Sequence, residues 1–99
     1  MTPSEIIKTR VTRGDMLAQL AEECCELAQA ALKLRRTFEG TSPTSVTQEE
    51  AEREFREEIA DVLLTMRYAA GLEIIVMNAA DIDGISARKQ ARWARRLSE

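Results

Sequence analysis

The chemistry open to this chain lies in two short acidic clusters, Glu22-Glu23-Cys24-Cys25-Glu26 and Glu58-Ile59-Ala60-Asp61. Both fall in stretches whose apolar residues recur at helical spacing. Residues three or four apart on a helix share a face, so Glu23 and Glu26 converge, and so do Glu58 and Asp61. If the two helices pack face to face, four carboxylates meet at one point. Desolvation and mutual repulsion then oppose ionisation, and a cation is the simplest remedy. The chain contains no histidine, which excludes the Glu-x-x-His di-iron pattern of ferritin-like bundles and disfavours zinc. Carboxylates alone suit Mg²⁺, with Mn²⁺ as a substitute and water or substrate oxygens completing the shell. A Mg²⁺ site in a helical bundle most naturally handles phosphates. Glu22 adjoins the first pair and is a candidate to orient an attacking water or accept its proton. The plainer reading of Glu22 is an exposed helix residue paired with a neighbouring cation, and acidic runs are in general more often solvated faces.

Two helices must position these groups. The stripe Met16, Leu20, Glu23, Leu27, Ala30, Leu34 advances by 4, 3, 4, 3 and 4 residues, so Glu23 stands where a Leu is expected. Asp15 is a candidate N-cap for this helix, which can also begin slightly earlier. Gly40 to Thr47 reads as a loop, within a connection spanning about 39–47. Thr47 followed by Glu50 is a capping-box signature. The helix it opens carries Phe55, Ile59, Val62, Leu63, Met66 and Ala70, with Glu58 at the edge of the stripe. A single internal Gly costs only ~1 kcal/mol relative to Ala, so this helix is expected to continue through Gly71 to about Asn78. Residues 79–84 are expected to form a turn and Ile85 to Leu97 a final amphipathic helix. Residues 1–12 form a lead-in in which Thr2-Pro3-Ser4-Glu5 can start a brief helix. No strand pattern and no repeat is present.

Composition bounds the remaining choices. Ninety-nine residues make a single domain, 1–99, short enough that a helical core is often completed by a second copy. Aromatic residues are only 4%, which favours an all-α core of aliphatic side chains. A net charge of −3 gives no global basic footprint for nucleic acid. The charges are segregated, however: an acidic stretch over 49–61 contrasts with Arg88, Lys89, Arg92, Arg95 and Arg96 near the end. A metal site with a polyphosphate clamp needs that division, and so does a salt-bridged helix pair. Cys24 and Cys25 point about 100° apart on a helix, too divergent for a mutual disulfide, and are expected to be small buried residues in a reducing compartment. Met1 to Arg10 lacks the apolar segment of a signal peptide, and no run reaches the ~18 apolar residues of a membrane span. The expected location is the cytoplasm.

Taken in order, Glu22-Glu23-x-x-Glu26 and Glu58-x-x-Asp61 resemble the E-E-x-x-E … E-x-x-D motif of the MazG-type all-α nucleoside triphosphate pyrophosphohydrolases. Gln19 to Leu27 is similar to that family's first motif helix, Leu32-Lys33-Leu34-Arg35-Arg36 to its basic end, and Glu57 to Val62 to its second motif helix. Lys89-x-x-Arg92-Trp93-x-x-Arg96-Leu97 resembles the closing basic helix of short bacterial and phage members. The resemblance implies a helical bundle completed by dimerisation, often as a tetramer, with the pocket completed by a second chain. It implies a Mg²⁺-dependent enzyme that cleaves an NTP or dNTP to the monophosphate and pyrophosphate, water attacking the α-phosphorus. By the same analogy Glu23, Glu26, Glu58 and Asp61 are the metal ligands. Lys33, Lys89, Arg92 and Arg96 are the candidates for phosphate binding, against an equal case for solvated helix charge, and Trp93 is expected to be a core anchor rather than a base-stacking platform. Residues 27–57, between the two motifs, form a longer stretch than many members carry, which the Gly40 to Thr47 loop can absorb, or use as a lid. The competing expectation is a non-catalytic helical dimer that presents charged faces to a protein partner.

Overall fold

The computed structural model describes residues 1–40, 46–72 and 78–99, which form four α-helices and no strand. They are α1 (Pro3–Arg10), α2 (Arg13–Glu39), α3 (Gln48–Gly71) and α4 (Ala79–Ser98). The loop centre at 41–45, with any lid it would make, and the apolar stretch 73–77 lie outside the described residues. None of the helices is long and apolar enough to cross a membrane.

Each helix starts on a side chain able to satisfy the orphan amides of its first turn. Thr12, not Asp15, caps α2: its Oγ1 accepts from the Asp15 amide at 3.0 Å, leaving Asp15 in the first turn, where a carboxylate favours the helix dipole. Thr47 and Glu50 form the expected capping box, with the Glu50 amide donating to Thr47 Oγ1 at 3.2 Å. Gly40 ends α2 in the left-handed region at φ 62°, and its amide donates to the Arg36 carbonyl.

Two expected boundaries are corrected. α3 ends at Gly71 instead of continuing to Asn78, and the Leu72 amide turns back to the Tyr68 and Ala70 carbonyls. Glycine's poor helix propensity makes Gly71 a natural place for the helix to stop. The expected turn at 79–84 is the start of α4, because Asn78 Oδ1 accepts from the Ala80 amide at 2.9 Å and Asp81 sits in the first turn.

α2 and α3 pack against each other and contain every buried residue among those described. They run antiparallel: Met16 shares a cleft with Thr65 and Tyr68, whereas Lys33, farther along α2, bonds Glu54, earlier in α3. On α2 the packed stripe is the expected one, with Met16 and Ala30 buried. On α3 the stripe is Ala51, Phe55, Glu58, Val62, Thr65, Ala69, again in steps of 4, 3, 4, 3 and 4. Ala51, Val62, Thr65 and Ala69 are buried, and Thr65 satisfies its hydroxyl by donating to the Asp61 carbonyl at 2.8 Å. Glu58 is therefore inside the stripe, not at its edge, and Leu63 is outside it, 56% exposed.

This core is thin. Small residues at Ala30, Ala51 and Ala69 let the two backbones approach, and no large side chain is fully buried. Cys24 and Cys25 are both exposed, because Glu23 and Leu27 take the packed face and rotate the thiols away from it. Trp93, expected in a core, is 65% exposed, and α4 buries none of its residues. Among the described residues only α2 and α3 pack extensively against each other, and α1 and α4 add no buried residue to that hairpin.

Candidate metal centre

The antiparallel pairing decides where the acidic residues go. Glu23 and Glu58 each occupy the third position of their stripe, and one turn away on each helix stand Glu26 and Asp61. Each of the four offers a carboxylate oxygen, and these oxygens all lie within 4.8 Å of one another. Around one Mg²⁺ at 2.0–2.1 Å, trans oxygens stand about 4.2 Å apart and cis oxygens about 2.9 Å, so the four carboxylates must draw together to share a single ion.

The electrostatics favour such closure. Glu23 Oε2 and Glu58 Oε2 are buried without a hydrogen-bond partner. Buried acceptors are almost always satisfied, and an orphaned carboxylate oxygen calls for a donor or a cation. The Glu26 carboxyl is held above its ordinary range, first by the Glu23 charge, then by Glu58, with desolvation, a hydrogen bond to Glu58 and the Glu22 charge adding to the effect. Four hard oxygen donors, two of them unsatisfied, with no nitrogen or sulfur among them, fit Mg²⁺ or Mn²⁺.

Two hollows border the cluster. Glu23 and Asp61 open onto a cleft of about 410 Å³ between α1, α2 and α3, whose apolar lining includes Ile7, Val11, Met16 and Leu64. Glu26 and Glu58 face a more polar hollow of about 400 Å³ shared with Gln29, Lys33 and Glu54. Of the four candidate phosphate-binding cations, Lys33 alone borders either hollow, and its Nζ pairs with Glu54 Oε2 at 3.0 Å. Lys89 and Arg92 line a separate surface groove on α4 with Arg88, Arg95 and Ile85, while Arg96 lies outside it on the same exposed helix. Glu22 is exposed next to the cluster but not one of its converging oxygens.

Two polar neighbours escaped the reading of the sequence. Gln19 Nε2 donates to Glu23 Oε1 at 2.7 Å, and Glu54 receives Lys33. The four-residue step from Gln19 to Glu23 is a legible signal, because an amide and a carboxylate at that spacing meet on a helix. The Glu54 contact needs the inter-helix register. No protein-family model, curated protein or solved structure matches this chain.

Proposed function

We propose that this chain is a Mg²⁺-dependent nucleoside triphosphate pyrophosphohydrolase, releasing pyrophosphate from an NTP or dNTP and leaving the monophosphate. The observation that carries the reading is the pair of buried, unpartnered oxygens of Glu23 and Glu58 inside a four-carboxylate cluster. When bound there, Mg²⁺ neutralises phosphate charge and makes a water more acidic. Glu23, Glu26, Glu58 and Asp61 hold the cation. Glu22, exposed beside them, accepts the proton of the attacking water. The cleft beside Glu23 and Asp61 has the volume and partly apolar walls of a small-molecule site, and takes the organic part of the substrate. The ordered resemblance of the two acidic motifs to the MazG-type enzymes adds the choice of bond.

The phosphate-binding cations on α4 require a second copy in this scheme. A monomer of 11.1 kDa is expected to expose about 5,700 Å², yet this chain exposes 7,756 Å². Its radius of gyration is 17.3 Å, against about 13 Å for a compact domain of this length. The surplus of roughly 2,100 Å² is the scale of one partner's share in an extensive interface. A homodimer, or a tetramer of two such dimers, covers it and brings Lys89, Arg92 and Arg96 of one copy toward the carboxylates of the other.

The deciding experiment is a pyrophosphate-release screen across canonical and damaged nucleotides with Mg²⁺ and Mn²⁺. Release from at least one nucleotide, lost in EDTA and reduced at least 100-fold by Glu23→Gln or Asp61→Asn, supports the enzyme. Release at the parent rate by those variants removes the site assignment. A second reading, a non-catalytic helical module that binds a protein partner, is favoured by the unpartnered face of α4, where Ile82, Trp93 and Leu97 are all exposed. It expects no nucleotide turnover and no response to divalent cations.

A further inference from the structure

Among the described residues, one neutral side chain grips the carboxylate cluster from outside it. Gln19 stands four residues before Glu23 on α2, and its Nε2 donates to Glu23 Oε1 at 2.7 Å. The other oxygen of the same carboxylate, Oε2, is buried and has no partner. An amide nitrogen can only donate, so the contact occupies one acceptor oxygen of that carboxyl group. It also fixes rotation about the terminal bond, which decides which oxygen faces the neighbouring carboxylates. Glu58 has a buried, unpartnered Oε2 as well, but no amide holds its carboxylate.

Resting on the reading of the cluster as a divalent-cation site, we infer that Gln19 is a positioning residue. It engages Oε1 of Glu23 and thereby commits Oε2 to the cation. The bond lies within one helix, so α2 carries the ligand pair Glu23 and Glu26 together with the residue that orients the first of them. Outer groups of this kind change metal affinity about 10- to 100-fold when removed. Gln19 is exposed, so water competes for the contact and the lower end of that range applies.

The test is a Mn²⁺ titration followed by electron paramagnetic resonance on the full chain, with the parent, Gln19→Leu and Gln19→Met. Both variants remove the donor, and Met keeps the length of the side chain. The expected result is saturable binding by the parent and a dissociation constant about tenfold higher in both variants, while circular dichroism without metal shows nearly the same melting midpoint. A merely structural Gln19 shifts that midpoint and leaves the dissociation constant alone. Binding equal to the parent's in the variants overturns the inference and leaves the cation site standing. A parent that binds no Mn²⁺ overturns the site and the inference together.

Discussion

Glu23 and Glu58 occupy equivalent positions in two antiparallel stripes, each third in a series spaced 4, 3, 4, 3 and 4, and each carries a buried oxygen without a partner. Where two Leu side chains would close the α2–α3 core, two carboxylates face each other. The metal-free fold therefore gives up stability at the point where function is proposed.

The first consequence is that Glu23→Leu stabilises the chain in EDTA. Replacing a poorly satisfied charge in a packed seam by an apolar side chain is worth about 1 kcal/mol or more, a rise in Tm of roughly 4–8 °C for a domain of this size. The same variant loses any Mg²⁺-dependent rise in Tm. Melts of parent and variant, with EDTA and with millimolar Mg²⁺, check both outcomes.

Acidity affects fold and cation in opposite directions. Because the Glu26 carboxyl is raised, chiefly by the Glu23 charge, the folded chain holds that proton more tightly than the unfolded chain does. Its contribution to metal-free stability is fully present below pH 4.5, the ordinary value, and is lost as pH rises through the raised one. Cation binding requires the ionised form, so Mn²⁺ affinity falls as pH drops into the same window. Glu26→Gln flattens the stability profile there, and added salt does so partially because Glu26 is exposed. Titrations at several pH values, in EDTA and in Mn²⁺, measure the two trends.

Lys33 separates a structural from a substrate role. Its pair with Glu54 joins two partly exposed side chains, so Lys33→Met costs about 0.5 kcal/mol in a denaturant melt. If Lys33 also meets phosphate, the same change raises KM about tenfold, a loss of roughly 1.4 kcal/mol of binding. Glu54→Gln frees the ammonium and leaves KM at or below the parent's.

The exposed faces have their own test. Sedimentation of the parent is expected to give a dimer or tetramer. Trp93→Glu and Leu97→Glu, at positions 65% and 75% exposed in one chain, shift it toward monomer if α4 lies in the interface. An unchanged oligomer places the interface elsewhere.

Much of the α2–α3 hairpin was legible in the sequence because its cues are local. The step pattern through Met16, Leu20 and Leu27 gave the α2 face, and Thr47 with Glu50 gave the start of α3. The convergence of Glu23 with Glu26 followed from helical spacing alone. The place of Glu58 inside the stripe was not legible, because Ala51, Thr65 and Ala69 are too small or too polar to signal a core; they are buried because two helices approach closely. The end of α3 at Gly71 was hidden by the apolar run that follows. The start of α4 was masked by Asp81, Asp83 and Gly84, which suggest a turn until Asn78 is recognised as a cap. Whether the basic residues of α4 meet the carboxylates depends on contacts between chains, which no local pattern encodes.

The most direct test of the cation site is the anomalous difference map of a crystal soaked in Mn²⁺. The expected peak lies between α2 and α3, with oxygens of Glu23, Glu26, Glu58 and Asp61 about 2.0–2.6 Å away, the range for hard divalent ions, and it disappears in Glu58→Gln. A map with no peak among these four carboxylates, at a soak concentration that labels sites elsewhere on the chain, contradicts it.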